Sequence, residues 1–316
     1  MLTRRHALAS AAALAGLAAV PVRAATASSI RIGYQKNGVL LLAKQQGAIE
    51  KKLEPLGVSV TWTEFQFGPP LLEALGLGSI DFGTTGDSPP IFAQAAGAKL
   101  LYVAAQPAAG SGAGILLPKG STIQSLAELK GKRVAFAKAS SAHNLTIAAL
   151  QKAGLTYADI EPVFLPPADA RAAFSTGKVD AWTIWDPFFA VAESGEGVRV
   201  LALASDIVAQ NSFFLGNRAY TEANPTIIKA VIEELQAVAT WAADHRPEVA
   251  EAWSQATGVD LAAQQRAVAR TDFAVTPVTD KIAAEQQAVA DRFLSLGLIP
   301  KPIAVRDIVW NLPAGA

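Results

Sequence analysis

Two short turns carry the residues best placed to do chemistry. Asp87-Ser88-Pro89 closes one and Asp186-Pro187 closes the other. Each ends a longer pattern, Gly78-Ser79-Ile80-Asp81-Phe82-Gly83-Thr84-Thr85-Gly86 in the first copy and Gly177-Lys178-Val179-Asp180-Ala181-Trp182-Thr183-Ile184-Trp185 in the second. Asp81 and Asp180, Thr84 and Thr183, and Asp87 and Asp186 stand at one offset of 99 residues. In both copies a glycine ends a helix, an Asp-containing turn follows, and a short buried strand leads to a polar residue before proline that opens the next helix. Ser88 and Asp186 read as N-caps with proline at the first helical position, where its missing N–H costs nothing. The chemistry such a turn offers is anion capture, because a helix start presents free N–H groups and a positive dipole end. Capping alone explains one copy; two copies point to two similar lobes whose turns line one cleft.

The elements that position these turns follow from periodicity. Strands are expected at Ser29-Ile30-Arg31-Ile32-Gly33-Tyr34, over residues 58–65 and 100–104, at Lys132-Arg133-Val134-Ala135-Phe136-Ala137, and over residues 163–165 and 198–204. Helices are expected between them, over residues 39–53, before Gly76, over 144–153 and over 170–176. That alternation implies doubly wound, mainly parallel sheets flanked by helices. The stretch Ala108-Ala109-Gly110-Ser111-Gly112-Ala113-Gly114 reads as the first crossing between lobes, and residues 205–212 as the return. From Pro225 the chain reads as helical, with Ile227, Ile228, Val231, Leu235 and Val238 on one face.

Composition excludes several classes. Of the 316 residues 51% are apolar, enough for two domains with real cores, and 27 basic residues balance 27 acidic ones, which argues against nucleic acid as a partner. Cysteine is absent and only His6, His143 and His245 are histidines, so no disulfide framework, thiol nucleophile or multi-histidine metal site is expected. Arg4-Arg5, an apolar run over residues 7–20 and small residues near Ala25-Thr26-Ala27 read as an export signal over 1–27, with a twin-arginine route open. That run is shorter than the roughly 20 residues that span a bilayer, so the mature chain is expected to be exported and not inserted in a membrane. The expected division is 28–109 with 213–316 as one lobe and 110–212 as the other.

This order resembles the periplasmic solute-binding proteins of ABC importers. The motifs Arg31-Ile32-Gly33-Tyr34-Gln35-Lys36, Phe164-Leu165-Pro166-Pro167-Ala168-Asp169-Ala170-Arg171, Asp180-Ala181-Trp182-Thr183-Ile184-Trp185-Asp186-Pro187 and Ala284-Glu285-Gln286-Gln287 are similar to those of the aliphatic sulfonate binders, relatives of the taurine and nitrate binders. The resemblance implies a type II two-lobed binding fold with two hinge crossings and no catalytic step. It implies a periplasmic monomer without cofactor or metal that hands an alkanesulfonate to a permease and its ATPase. A sulfonate is anionic with three acceptor oxygens, so the loops at the carboxyl ends of strands supply the candidates: Gln35, Gly86, Asp87, Ser88, Ser140, Ser141, His143, Asn144, Trp185 and Asp186. By the resemblance, Gln35 and Ser141 contact the head group and Trp185 covers the alkyl part. Ser140 and Ser141 also read as helix caps, His143 as a structural hydrogen-bonder and Trp182 as core. Asp87 and Asp186 would repel a sulfonate, so each is expected either to cap and bridge or to meet an ammonium such as that of taurine. A taurine or nitrate-like binder stays open. A thiamine-pyrimidine synthase-like enzyme lacks its histidine and cysteine clusters here, and a regulator lacks its DNA-binding segment.

Overall fold

The computed structural model describes residues 27–108 and 112–313. The expected export segment lies outside them apart from Ala27, as do Ala109, Gly110 and Ser111 of the first crossing. The chain runs β1 (Ser29–Tyr34), α1 (Gly38–Gln46), α2 (Ala48–Leu53), β2 (Ser59–Glu64), α3 (Gly68–Gly76), β3 (Phe82–Gly86), α4 (Ser88–Ala95) and β4 (Leu100–Gln106). It continues through β5 (Ala113–Leu117), β6 (Arg133–Phe136), α5 (Ser141–Lys152), β7 (Glu161–Phe164), α6 (Pro167–Ser175), β8 (Ala181–Trp185), α7 (Phe188–Glu193) and β9 (Arg199–Leu203). It ends with β10 (Ser212–Asn217), α8 (Arg218–Ala223), α9 (Pro225–Asp244), α10 (Arg246–Thr257), α11 (Leu261–Arg270) and α12 (Asp280–Ser295).

Two five-stranded sheets result, ordered β2-β1-β3-β10-β4 and β7-β6-β8-β5-β9. The two orders are the same arrangement written twice. In each sheet the first strand pairs in parallel with the second and third, and one strand arriving from the far side of a crossing inserts antiparallel beside the third. These inserted strands are β5 and β10, the first strands after the two expected crossings. Both sheets are thus mainly parallel with one reversed member, and helices cover them.

Alternation along the strands builds the cores. Ile115, Leu117, Val134 and Phe136 pack on one face of the second sheet, and Leu116, Ala135, Trp182 and Ile184 on the other. Because both faces are buried, the strands read as nearly continuous apolar runs. The first sheet joins a larger core that includes Leu40, Phe82, Tyr102, Phe213 and the inner stripe of α9.

The doubled pattern occupies equivalent places. Asp81, in the turn before β3, accepts hydrogen bonds from Arg31 N at 2.8 Å, Nε at 2.9 Å and Nη2 at 2.6 Å. Asp180, before β8, accepts from Arg133 N at 2.8 Å, Nε at 3.1 Å and Nη2 at 2.9 Å. In each sheet a turn aspartate ties the third strand to the first, and this fixes where that strand ends.

Three local expectations are corrected. The helix expected over residues 39–53 breaks at Gly47, whose φ of 59° is left-handed and redirects the chain into α2. Ser88 is the first residue of α4 rather than its cap, and its hydroxyl donates to Asp87 Oδ1. Asp186 stands one residue before the α7 cap, Pro187, although its Oδ1 still accepts a first-turn bond from Ala190 N at 2.9 Å.

Candidate functional site

The carboxyl ends of β1, β3, β6 and β8 open onto one cleft of about 450 Å³ between the sheets. Three helix starts reach it, through Gly38 of α1, Gly68 of α3 and Ser141 of α5. Each of these helices is nine residues or longer, so its N–H groups and dipole bear on whatever anion enters. The expected residues Gln35, Gly86, Ser140, Ser141, Trp185 and Asp186 all line the cleft.

At one end the wall is uncharged. Gln35 Nε2 donates to Thr84 O at 3.0 Å, which holds the amide beside β3. A Cβ on Gly86 would stand 2.0 Å from Ser141 Oγ, so the backbone of the first sheet and a hydroxyl of the second meet where only glycine fits. Ser140, extended before α5, donates its hydroxyl to Ala137 O at 2.7 Å. Gln210, on the return crossing, donates to Ser141 O at 2.8 Å. The cleft-facing groups of this corner are uncharged, with the Asp87 carboxyl bonded to Ser141 behind them.

The other end carries charge. Asp186 sits at the end of β8, and burial raises its carboxyl to about 7 despite the pull of Arg270. Arg270 Nη1 lies 3.6 Å from Asp186 Oδ1, Nη2 donates to Glu193, and the guanidinium lies 4.8 Å from the centre of the Phe189 ring. Arg266 also reaches Glu193, at 3.4 Å. Asn37 Nδ2 donates to Asp186 O at 3.1 Å, a bond that spans the cleft. Trp185, half-buried, also lines the cleft.

Four expected residues lie behind the cleft wall. Asp87, 1% exposed, accepts from Ser88 Oγ and from Asn144 Nδ2, each at 2.8 Å, and burial raises its carboxyl above the usual range. Asn144 Oδ1 accepts from Arg292 Nη1 at 2.6 Å, and Gln286 Nε2 donates to Asp87 O at 2.6 Å. Asp87, Ser88 and Asn144 therefore belong to a buried bridge between α4, α5 and α12. His143 is fully buried among Phe92, Phe136, Phe164 and Phe293. Its Nδ1 accepts from Ala139 N at 3.3 Å, which leaves the proton of the neutral ring on Nε2, 3.0 Å from Tyr157 Oη. Burial, with help from Lys138, lowers this imidazole to about 4. Arg171 is exposed on α6.

Several cleft residues escaped sequence reasoning. Asn37 lay in a loop already recognised. Trp253, Gln264, Arg270 and Thr271 come from α10, α11 and the residue after them, a region read only for its apolar stripe. The available signal was the spacing of Gln264, Ala267 and Arg270, which share one face of α11.

The sequence profile of the NMT1/THI5-like family matches residues 57–250. An aliphatic sulfonates-binding protein of Escherichia coli strain K12 is 42% identical over 305 residues, 95% of each chain. The crystal structure of the periplasmic aliphatic sulphonate binding protein SsuA from Escherichia coli superposes with a TM-score of 0.83 at 40% identity, covering 91% of this chain and 94% of that one. The alkanesulfonate-binding protein SsuA of Xanthomonas axonopodis pv. citri, bound to MOPS, gives a TM-score of 0.85 at 42% identity over 91% of this chain and 99% of that one.

Proposed function

The chain belongs to the NMT1/THI5-like family, and on that premise we propose that it is the solute-binding component of an ABC importer that captures aliphatic sulfonates between its two sheets. The observation that carries the reading is the close approach of Gly86 and the Ser141 hydroxyl in a cleft that three helix starts line. A sulfonate stays ionised at every biological pH, so uncharged donors hold it without a buried countercharge. Gln35 and Ser141 bind its oxygens, and Trp185 lies along the alkyl chain. The likeness to relatives named as sulfonate binders over nearly the whole chain supports the same ligand class.

The protein works in the periplasm, as its Escherichia coli relative does, and among the described residues no helix is long and apolar enough to cross a membrane. Residues 28–109 with 213–316 act as one lobe and 110–212 as the other. The closed form docks on a membrane permease powered by an ATPase. An ammonium tail fits this cleft poorly, because Arg270 and Arg266 stand beside Asp186 and Glu193, and taurine is accordingly the weaker ligand.

Isothermal titration of residues 28–316 tests the proposal. Ethane-, butane- and octanesulfonate should bind one to one, taurine weakly, and sulfate and nitrate not at all. Silence from every alkanesulfonate would overturn it.

A further inference from the structure

The charged end of the cleft holds polar atoms that the protein itself does not satisfy. Trp253, 2% exposed, and Gln264, fully buried, both line the cleft. Trp253 Nε1, Gln264 Oε1, Arg270 Nη1 and Asp186 Oδ2 are buried atoms with no hydrogen-bond partner among the described residues. The orientation of the Gln264 amide is settled by its neighbour. Thr257 Oγ1 gives its proton to Trp253 O at 2.7 Å, so toward Gln264 it can only accept, and it takes Nε2 at 3.0 Å. Gln264 Oε1 is therefore the atom left over. A buried donor or acceptor without a partner is costly, and four such atoms on residues that line one cleft mark it as built for a polar group.

Resting on the sulfonate reading above, we infer that this end is a second subsite, one that recognises an uncharged, hydroxyl-bearing tail on the sulfonate. The charges decide the tail. Arg266 and Arg270 balance Asp186 and Glu193, so a second anion meets two carboxylates and a cation meets two guanidiniums. A hydroxyl avoids both, and as a small group that both accepts and donates it suits Trp253 Nε1 or Arg270 Nη1 on one side and Gln264 Oε1 on the other. An alkane terminus leaves all of these unanswered. The preferred ligands are thus hydroxyalkanesulfonates whose length spans from the Ser141 corner to α11.

Matched pairs test this by titration: propane-, butane- and hexanesulfonate against their ω-hydroxy derivatives. Taking the hydroxyl out of water works against its binding, so a gain is informative. At the fitting length the hydroxyl member should bind about five- to tenfold tighter, the worth of one or two satisfied buried hydrogen bonds. In Gln264→Met and in Trp253→Phe that ratio should fall to about one, because those bonds are lost. Melting curves report whether each variant folds; should Trp253→Phe fail to fold, Gln264→Met carries the comparison. If the parent alkanesulfonates bind and no hydroxyl member binds tighter at any length, the subsite is refuted while the head-group reading stands. If neither member of any pair binds, the sulfonate reading falls and this inference falls with it.

Discussion

Gly86 holds a position that a larger residue fills only by displacing Ser141, since the nearest atoms to an added Cβ are Ser141 Oγ at 2.0 Å and Cβ at 3.2 Å. Gly86→Ala should weaken alkanesulfonate binding about tenfold or more, the equivalent of the ~1–3 kcal/mol that overpacking costs. Because the clash is with the hydroxyl, Gly86→Ala combined with Ser141→Ala should cost less than the two single changes added together, and additive losses in titration would dismiss the contact. His143 makes a separate prediction, on stability rather than binding. Its imidazole titrates near 6.5 when unfolded and at about 4 when folded, so between those values only the unfolded chain takes the proton. Stability therefore falls as the pH drops from 6.5 to 4, by up to about 3 kcal/mol, and levels off below. Asp186 has the opposite sign, because its folded carboxyl takes up a proton near 7, long before the unfolded one. Comparing urea midpoints of the wild type with His143→Gln at pH 7.5 and 5 isolates the imidazole, and equal slopes in the two proteins would rule this account out.

At the scale of elements, the aspartate before the third strand of each sheet is a matched pair with unequal surroundings. Asp81 has a side chain 4% exposed and Asp180 one 31% exposed, while both accept three bonds from one arginine. Asp81→Ala leaves the Arg31 N–H without its partner in a dry site and should cost about 2 kcal/mol. Asp180→Ala should cost clearly less, because water reaches the bonds it gives up. Chemical denaturation of the two variants decides, and an equal or reversed order would mean that burial does not govern these ties. The bonds to Asp180 hold its carboxyl below the usual range, so its contribution persists above the unfolded pKa and is lost only as the pH falls through the folded one. These turns were legible in the sequence because glycine, aspartate and proline act through local backbone geometry. The break at Gly47 was less so, since a lone glycine in a helical pattern reads as tolerated or as a terminus. The sequence pattern also pointed to helix starts as anion sites, yet it could not say which polar residues face the cleft. Asp87 and Ser141 stand in similar turns, and only packing against α12, through Gln286 and Arg292, turns Asp87 inward. The side chains of α10 and α11 were invisible for the same reason: their role depends on a contact made far along the chain.

The whole molecule combines a firm back with a polar front. At the back, Ile91 and Ala95 of α4, Ile147 of α5 and Val289, Ala290 and Phe293 of α12 share one apolar cluster, reinforced by the Asp87–Asn144–Arg292 bridge. Next to the crossings, Ser212 pairs with Gln106, and Ala108 N donates to Asn211 Oδ1 at 2.7 Å. At the front, the lobes meet through the bond from Asn37 to Asp186 O, the Gly86–Ser141 approach, and α11, whose Arg270 and Arg266 pair with Asp186 and Glu193. Opening the front breaks these polar contacts and a small cluster of Ala190 with Ala263 and Ala267, whereas opening the back exposes a larger apolar core. Motion is therefore expected about the crossings, with ligand supplying the contacts that hold the front shut. The chain contains no cysteine, so two introduced thiols label it cleanly. Glu73 on α3 and Arg171 on α6 are exposed, and the two helices pack on different sheets, α3 on β3 and α6 on β6 and β8. Spin labels on a Glu73→Cys, Arg171→Cys variant should report a shorter, narrower distance distribution once butanesulfonate saturates the protein. The same ligand at ~100 times its dissociation constant should raise stability by roughly 2.7 kcal/mol if it binds only the folded chain. Stabilisation without any change in the label distance would mean that the cleft is already closed before ligand arrives, and the crossings would then be struts rather than hinges.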